Sequence, residues 1–167
     1  MRFDLIKILM VDDNHHMRIL IGEILRAIGV KHLYEASDGA EAIQMLRREP
    51  IDVVMTDLAM QPLDGIDFCR LVRNSPDSPN PMIPIIMITG HSTMRRIGEA
   101  RDVGANEFLA KPITARGIIH RITEIVEHPR QFIRTPDYFG PDRRRRSDVN
   151  YRGPRRRSVD GEPALEI

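Results

Sequence analysis

Five short apolar runs alternate along this chain with five stretches whose apolar residues recur at helical spacing, and that alternation restricts the fold more than anything else in the sequence. Leu5-Ile6-Lys7-Ile8-Leu9-Met10-Val11 is nearly continuous in apolar character, as a central parallel strand should be. Met17, Leu20, Ile21, Ile24, Leu25 and Ile28 then mark a first helix, which Gly29 stops. A second strand covers Lys31 to Ala36, and Asp38 with Glu41 forms a capping box for the helix carrying Ala42, Ile43 and Leu46. Ile51 to Thr56 is the third strand, delivering Asp57 at its C-terminal end, and Ile66, Phe68, Cys69, Leu71 and Val72 mark the third helix. After a loop from Asn74 to Pro81, a fourth strand runs from Ile83 to Ile88 and ends at Thr89. Ser92 stands where it would cap a fourth helix through Val103; Ala105 to Leu109 is the fifth strand, and Ile113, Ile118, Ile119, Ile122, Ile125 and Val126 the fifth helix. Strict alternation of this kind predicts an α/β fold, a doubly wound parallel sheet of five strands with helices on both faces.

The chemistry gathers at one edge of that sheet. Asp12, Asp13, Asp57, Thr89 and Lys111 each follow the last apolar residue of a strand, and ligands bind at this edge in doubly wound sheets. Three converging carboxylates repel one another unless a cation sits between them, and oxygen ligands suit a hard divalent ion, Mg²⁺ above all. The plainer reading of an Asp-Asp pair after a strand is a helix N-cap. Lys111, directly before Pro112, supplies a compact cation for a phosphate, and a cis Lys111–Pro112 bond would aim it back at the site. Thr89 offers a hydroxyl, and Gly90 leaves room for backbone to approach a ligand. These parts suit phosphoryl transfer, with Asp57 as the carboxylate nucleophile.

The motifs Val11-Asp12-Asp13-Asn14, Asp57-Leu58-Ala59-Met60 with Asp64-Gly65, Ile88-Thr89-Gly90, and Phe108-Leu109-Ala110-Lys111-Pro112 occur in order. Through them the chain from Leu5 to about His128 resembles the bacterial response-regulator receiver family, which includes stand-alone chemotaxis regulators. The resemblance implies the flavodoxin-like strand order 2-1-3-4-5, Mg²⁺ held by Asp12, Asp13, Asp57 and the Ala59 carbonyl, and phosphorylation of Asp57 by a histidine kinase or a histidine phosphotransfer protein. It also implies that Thr89 moves toward the phosphoryl group and that Phe108 follows as the aromatic switch residue, against the plainer reading of Phe108 as a core phenylalanine. The product is a phosphorelay switch regulating a partner, not an enzyme beyond its own phosphoryl transfer and dephosphorylation. An aspartyl-phosphate phosphatase would carry a second acid two residues past the nucleophile, where this chain has Ala59. The family's usual proline after the Met60 position is Gln61 here, with Pro62 next. His15 and His16 read as exposed first-turn residues rather than soft-metal ligands, Cys69 as core, and His91 as a residue near the phosphoryl entrance.

Charge divides the chain in two. Residues 1–128 carry 15 Lys+Arg against 18 Asp+Glu, whereas 129–167 carry 10 Arg, no Lys and 6 acids. The first part reads as the receiver domain and the second as a basic tail without a core of its own, disordered when free. The tail repeats: Tyr138-Phe139-Gly140-Pro141-Asp142-Arg143-Arg144 returns as Tyr151-Arg152-Gly153-Pro154-Arg155-Arg156-Arg157. Three readings stay open for Arg143, Arg144, Arg145, Arg146, Arg155, Arg156 and Arg157: a solvated tail, nucleic-acid contact, or docking on an acidic partner, an anionic surface or the receiver's own acidic face. One cysteine and no membrane-length apolar run fit a cytoplasmic protein, and no DNA-binding module follows the receiver, so direct transcriptional control is not expected.

Overall fold

The computed structural model describes residues 1–90 and 96–144. Its elements are β1 (Lys7–Val11), α1 (His15–Ala27), β2 (His32–Ala36), α2 (Gly39–Arg48), β3 (Val53–Asp57), α3 (Gly65–Asn74), β4 (Ile85–Thr89), α4 (Ile97–Asp102), β5 (Glu107–Ala110), α5 (Ala115–Glu127), β6 (Phe132–Thr135) and β7 (Tyr138–Pro141). The first five strands form one parallel sheet in the order β2-β1-β3-β4-β5, as expected from the alternation and the resemblance.

Side chains alternate across each strand, so one sheet builds two cores. Val54, Ile85 and Met87 face α2, α3 and α4, joined by Phe68, Cys69, Val72 and Ala100. Met10, Val53, Met55, Ile86 and Ile88 face α1 and α5, against Ile21, Leu25, Ile118 and Ile122. Element ends shift slightly from the sequence reading. Strand β4 opens at Ile85, just past Pro84, whose missing N–H cannot join a ladder. Asp38 caps α2 through the Glu41 N–H at 2.8 Å, but Glu41 Oε2 accepts from the Ser37 N–H at 2.7 Å rather than from residue 38. Helix α4 opens at Ile97, and its expected cap Ser92, with His91, lies outside the described residues.

The largest departure concerns the segment after residue 128. The tail expected from 129 onward begins instead as an antiparallel hairpin, β6 pairing with β7 so that Phe132 faces Pro141 and Thr135 faces Tyr138. Aromatic burial stands in for the missing aliphatics: Phe132 and Phe139 are both 7% exposed, with ring centroids 5.6 Å apart. Under Phe132 lies Arg73, whose guanidinium carbon is 5.0 Å from the ring centroid and whose side chain is buried. Its Nε donates to Gly104 O at 3.1 Å, Nη1 to Pro81 O at 2.7 Å and Nη2 to Asn106 Oδ1 at 2.9 Å. Burial lowers the Arg73 pKa. Gly140 sits against Gly104, where an added Cβ would meet the Gly104 Cα at 2.8 Å. Two ion pairs complete the seat, Arg130 to Glu107 at 3.3 Å and Arg143 to Asp102 at 3.1 Å. Among the arginines for which three readings were left open, Arg143 pairs with Asp102 on the receiver's own surface. Arg145, Arg146, Arg155, Arg156 and Arg157, with the second repeat, lie outside the described residues.

Candidate active site

The register of the sheet sets the site. Val11 pairs with Thr56, Asp57 with Ile88, and Thr89 with Ala110, so Asp12, Asp57, Thr89 and Lys111 emerge at one level of the C-terminal edge. Asp57 is 4% exposed and receives two donors: Lys111 Nζ stands 2.9 Å from Oδ1, and the Ala59 N–H donates to Oδ2 at 3.1 Å. Lys111–Pro112 is cis, as the sequence reading allowed. Gly65 explains why Asp64-Gly65 follows at its distance. It lies against the carbonyl of Asp57, where a Cβ would collide with that oxygen, and its N–H donates to Leu58 O at 3.0 Å.

The acidic pair divides its work. Asp12 is 2% exposed; its Oδ1 accepts from the Asn14 N–H at 2.8 Å, while its buried Oδ2 has no hydrogen-bond partner among the described residues. Burial raises the Asp12 pKa, and the nearby charges of Asp57 and Asp13 add to that, against the Asn14 N–H and Lys111. Asp13 is exposed, and its Oδ2 accepts from the Gln61 N–H at 3.1 Å, so the loop with the unusual Gln61, followed by a cis Pro62, is tied to the acidic pair. Neither aspartate caps α1. Asn14 does, accepting from His16 N–H at 3.0 Å and Met17 N–H at 3.2 Å, and the pair is thereby left for other use. From α1, Arg18 Nη1 donates to Asp12 O at 2.8 Å. Asn14 as the cap and Arg18 as a brace were not singled out in the sequence; Asn at the position before a helical run was the available signal.

An orphaned, buried carboxylate oxygen with the charges of two further aspartates nearby is what a hard cation would satisfy, so these residues fit Mg²⁺. Among the described residues no three His, Cys, Asp or Glu side chains cluster closely enough to hold a metal by themselves. A shell here would therefore draw on the Ala59 carbonyl and water as well, as Mg²⁺ sites commonly do. Thr89 is 1% exposed, and its Oγ1 likewise has no partner among the described residues. Thr89 continues the Ile85-Met87 face of β4, and Phe108 packs, half-buried, against that same core. Both residues thus lie on the α4 side of the sheet.

The sequence profile described as the response regulator receiver domain matches residues 8–123. Chemotaxis protein CheY-3 of Vibrio cholerae is 35% identical over 121 residues, spanning 72% of this chain and 92% of that protein. Chemotaxis protein CheY of Pseudomonas aeruginosa is 37% identical over 121 residues, spanning 72% and 96%. Among solved structures, CheY4 of Vibrio cholerae superposes with a TM-score of 0.65 at 27% identity, covering 72% of this chain and 98% of its own. The receiver domain of the sensor histidine kinase PA1611 from Pseudomonas aeruginosa, described with a magnesium ion coordinated in its active site cleft, gives 0.60 at 27% identity, covering 71% and 93%. The profile stops at residue 123, ahead of the hairpin.

Proposed function

The chain belongs to the response regulator receiver domain family of two-component signalling, and from that membership we propose that Asp57 accepts a phosphoryl group from a histidine kinase or a histidine phosphotransfer protein. The observation that carries the reading is Lys111 Nζ at 2.9 Å from the carboxylate of a nearly buried Asp57, beside the orphaned oxygen of Asp12.

In the transfer an oxygen of Asp57 forms a bond to phosphorus while the phosphorus–nitrogen bond of the donor phosphohistidine breaks, and the histidine nitrogen leaves with the electron pair. Lys111 then turns its charge to the phosphoryl oxygens, and the Ala59 N–H and the Thr89 hydroxyl are donors within the same cleft. Mg²⁺, held by Asp12, Asp13, Asp57 and the Ala59 carbonyl, would neutralise negative charge on the transferring group. The return step is hydrolysis. The small Ala59 side chain leaves a water's approach to phosphorus open, which favours a short-lived phosphoryl group. Thr89 and Phe108, on one face of the sheet, form the switch that carries the change to a partner.

The test is the mass of the intact protein after incubation with acetyl phosphate and Mg²⁺, a cleaner probe than fluorescence in a chain with no tryptophan. One added phosphoryl group on the wild type and none on Asp57→Ala supports the reading. An adduct that survives the substitution would move the acceptor elsewhere.

A further inference from the structure

We infer that α4 is a lever between the acceptor loop and the C-terminal hairpin, so that phosphorylation of Asp57 loosens the docked hairpin. The inference rests on Asp57 being the phosphoacceptor. Over its described residues, Ile97–Asp102, helix α4 buries only Ala100, and little apolar burial holds this stretch in place. It is tethered by charge at both ends. At its start Arg96 Nη2 reaches Asp64 Oδ2 at 2.9 Å, and Asp64 also caps α3 through the Asp67 N–H at 2.9 Å, seven residues after Asp57. At its end Asp102 Oδ1 meets Arg143 Nη1 at 3.1 Å, and Arg143 stacks on Tyr138 with 4.0 Å from guanidinium carbon to ring centroid.

The Arg143–Asp102 pair is half-exposed and weak on its own. The turn that follows α4 adds the steric part: Gly104, with φ 98°, carries the Arg73 bond on its carbonyl and the Gly140 backbone against its Cα. A shift at the end of α4 carries Gly104 with it, and so displaces the surface against which Gly140 packs. The push comes from the opposite end. Thr89, the last residue of β4, has a buried hydroxyl unpartnered among the described residues, and a phosphoryl oxygen on Asp57 offers it an acceptor. Drawing Thr89 toward Asp57 strains the acceptor loop that carries Asp64, and with it the Arg96 tether at the start of α4. By reciprocity, a hairpin that is undocked should make Asp57 easier to phosphorylate.

Hydrogen exchange of the full chain, read by mass spectrometry with and without acetyl phosphate and Mg²⁺, tests this, with the intact mass of the same samples as control. Amides of 132–141 should exchange about five-fold faster or more in the adduct-bearing protein and be unchanged in Asp57→Ala. Arg143→Ala should exchange modestly faster in both states, and the charge-swapped pair Asp102→Arg with Arg143→Asp should recover protection. Gly140→Val, which undocks the hairpin sterically, should raise the fraction of chains carrying the adduct several-fold at fixed acetyl phosphate and Mg²⁺. An adduct with hairpin protection unchanged overturns the lever and leaves the acceptor reading standing. No adduct on folded protein overturns the acceptor reading, and the lever falls with it.

Discussion

Arg73 and Asn106 meet under the hairpin with Nη2 of the one 2.9 Å from Oδ1 of the other, and both side chains are withdrawn from water. Asn106 Oδ1 also accepts from the Ile85 N–H at 3.0 Å, so a single amide joins the start of β4 to a buried cation. The guanidinium is satisfied by carbonyl oxygens in a fixed fork, which a point charge cannot reproduce. Arg73→Ala should destabilise the fold by about 2–4 kcal/mol, because it orphans the Pro81 and Gly104 carbonyls as well as removing the bonds. Arg73→Lys should recover little of that. Urea unfolding of the two variants checks it, and a lysine variant as stable as wild type would refute the fork.

Asp12 gives the pH prediction. Burial raises its pKa in the folded chain. A carboxylate raised on folding contributes stability that is present below its unfolded pKa and lost as pH rises through the folded value. At neutral pH the ionised Asp12 is therefore a burden in metal-free protein. Asp12→Asn should raise the melting temperature at neutral pH with chelator present, and should show none of the further rise expected when Mg²⁺ is added to the wild type. Near pH 3 the two proteins should melt alike. A variant less stable than wild type at neutral pH without metal would refute the assignment.

Lys111→Ala should leave the fold intact, since the side chain is a third exposed, while slowing adduct formation from acetyl phosphate by ~10- to 100-fold. The time course of intact mass measures it. An unchanged rate would remove Lys111 from the transfer.

Cys69 is buried, its Sγ 3.4 Å from Val103 O, and burial pushes the thiol up to about 11. It should resist thiol reagents in the folded protein and label at the rate of unfolding. Labelling that follows reagent concentration in native buffer would contradict this.

The sheet and its reactive edge were legible because each depends on local pattern. Apolar runs of strand length and helical spacing are written residue by residue, and the strand-end positions of Asp57, Thr89 and Lys111 follow from where those runs stop. The hairpin was not legible for the opposite reason. Phe132 and Phe139 look like scattered aromatics in a basic tail until Arg73, far off in the chain, supplies the surface they cover. Arg73 itself looks like one more charge on an amphipathic helix; the carbonyls of Pro81 and Gly104 and the Asn106 amide oxygen make its burial tolerable. Asn14 shows a finer failure. Three consecutive polar residues can each cap a helix, and which one does is decided by where Asp12 is drawn by the sheet.

The hairpin sits where β5 begins, and Asp57 lies where the parallel strands end, so the two occupy opposite poles of the molecule. A phosphodonor approaching one pole does not shadow the other. A contact made at the hairpin and a phosphodonor at Asp57 would therefore not compete for the same surface.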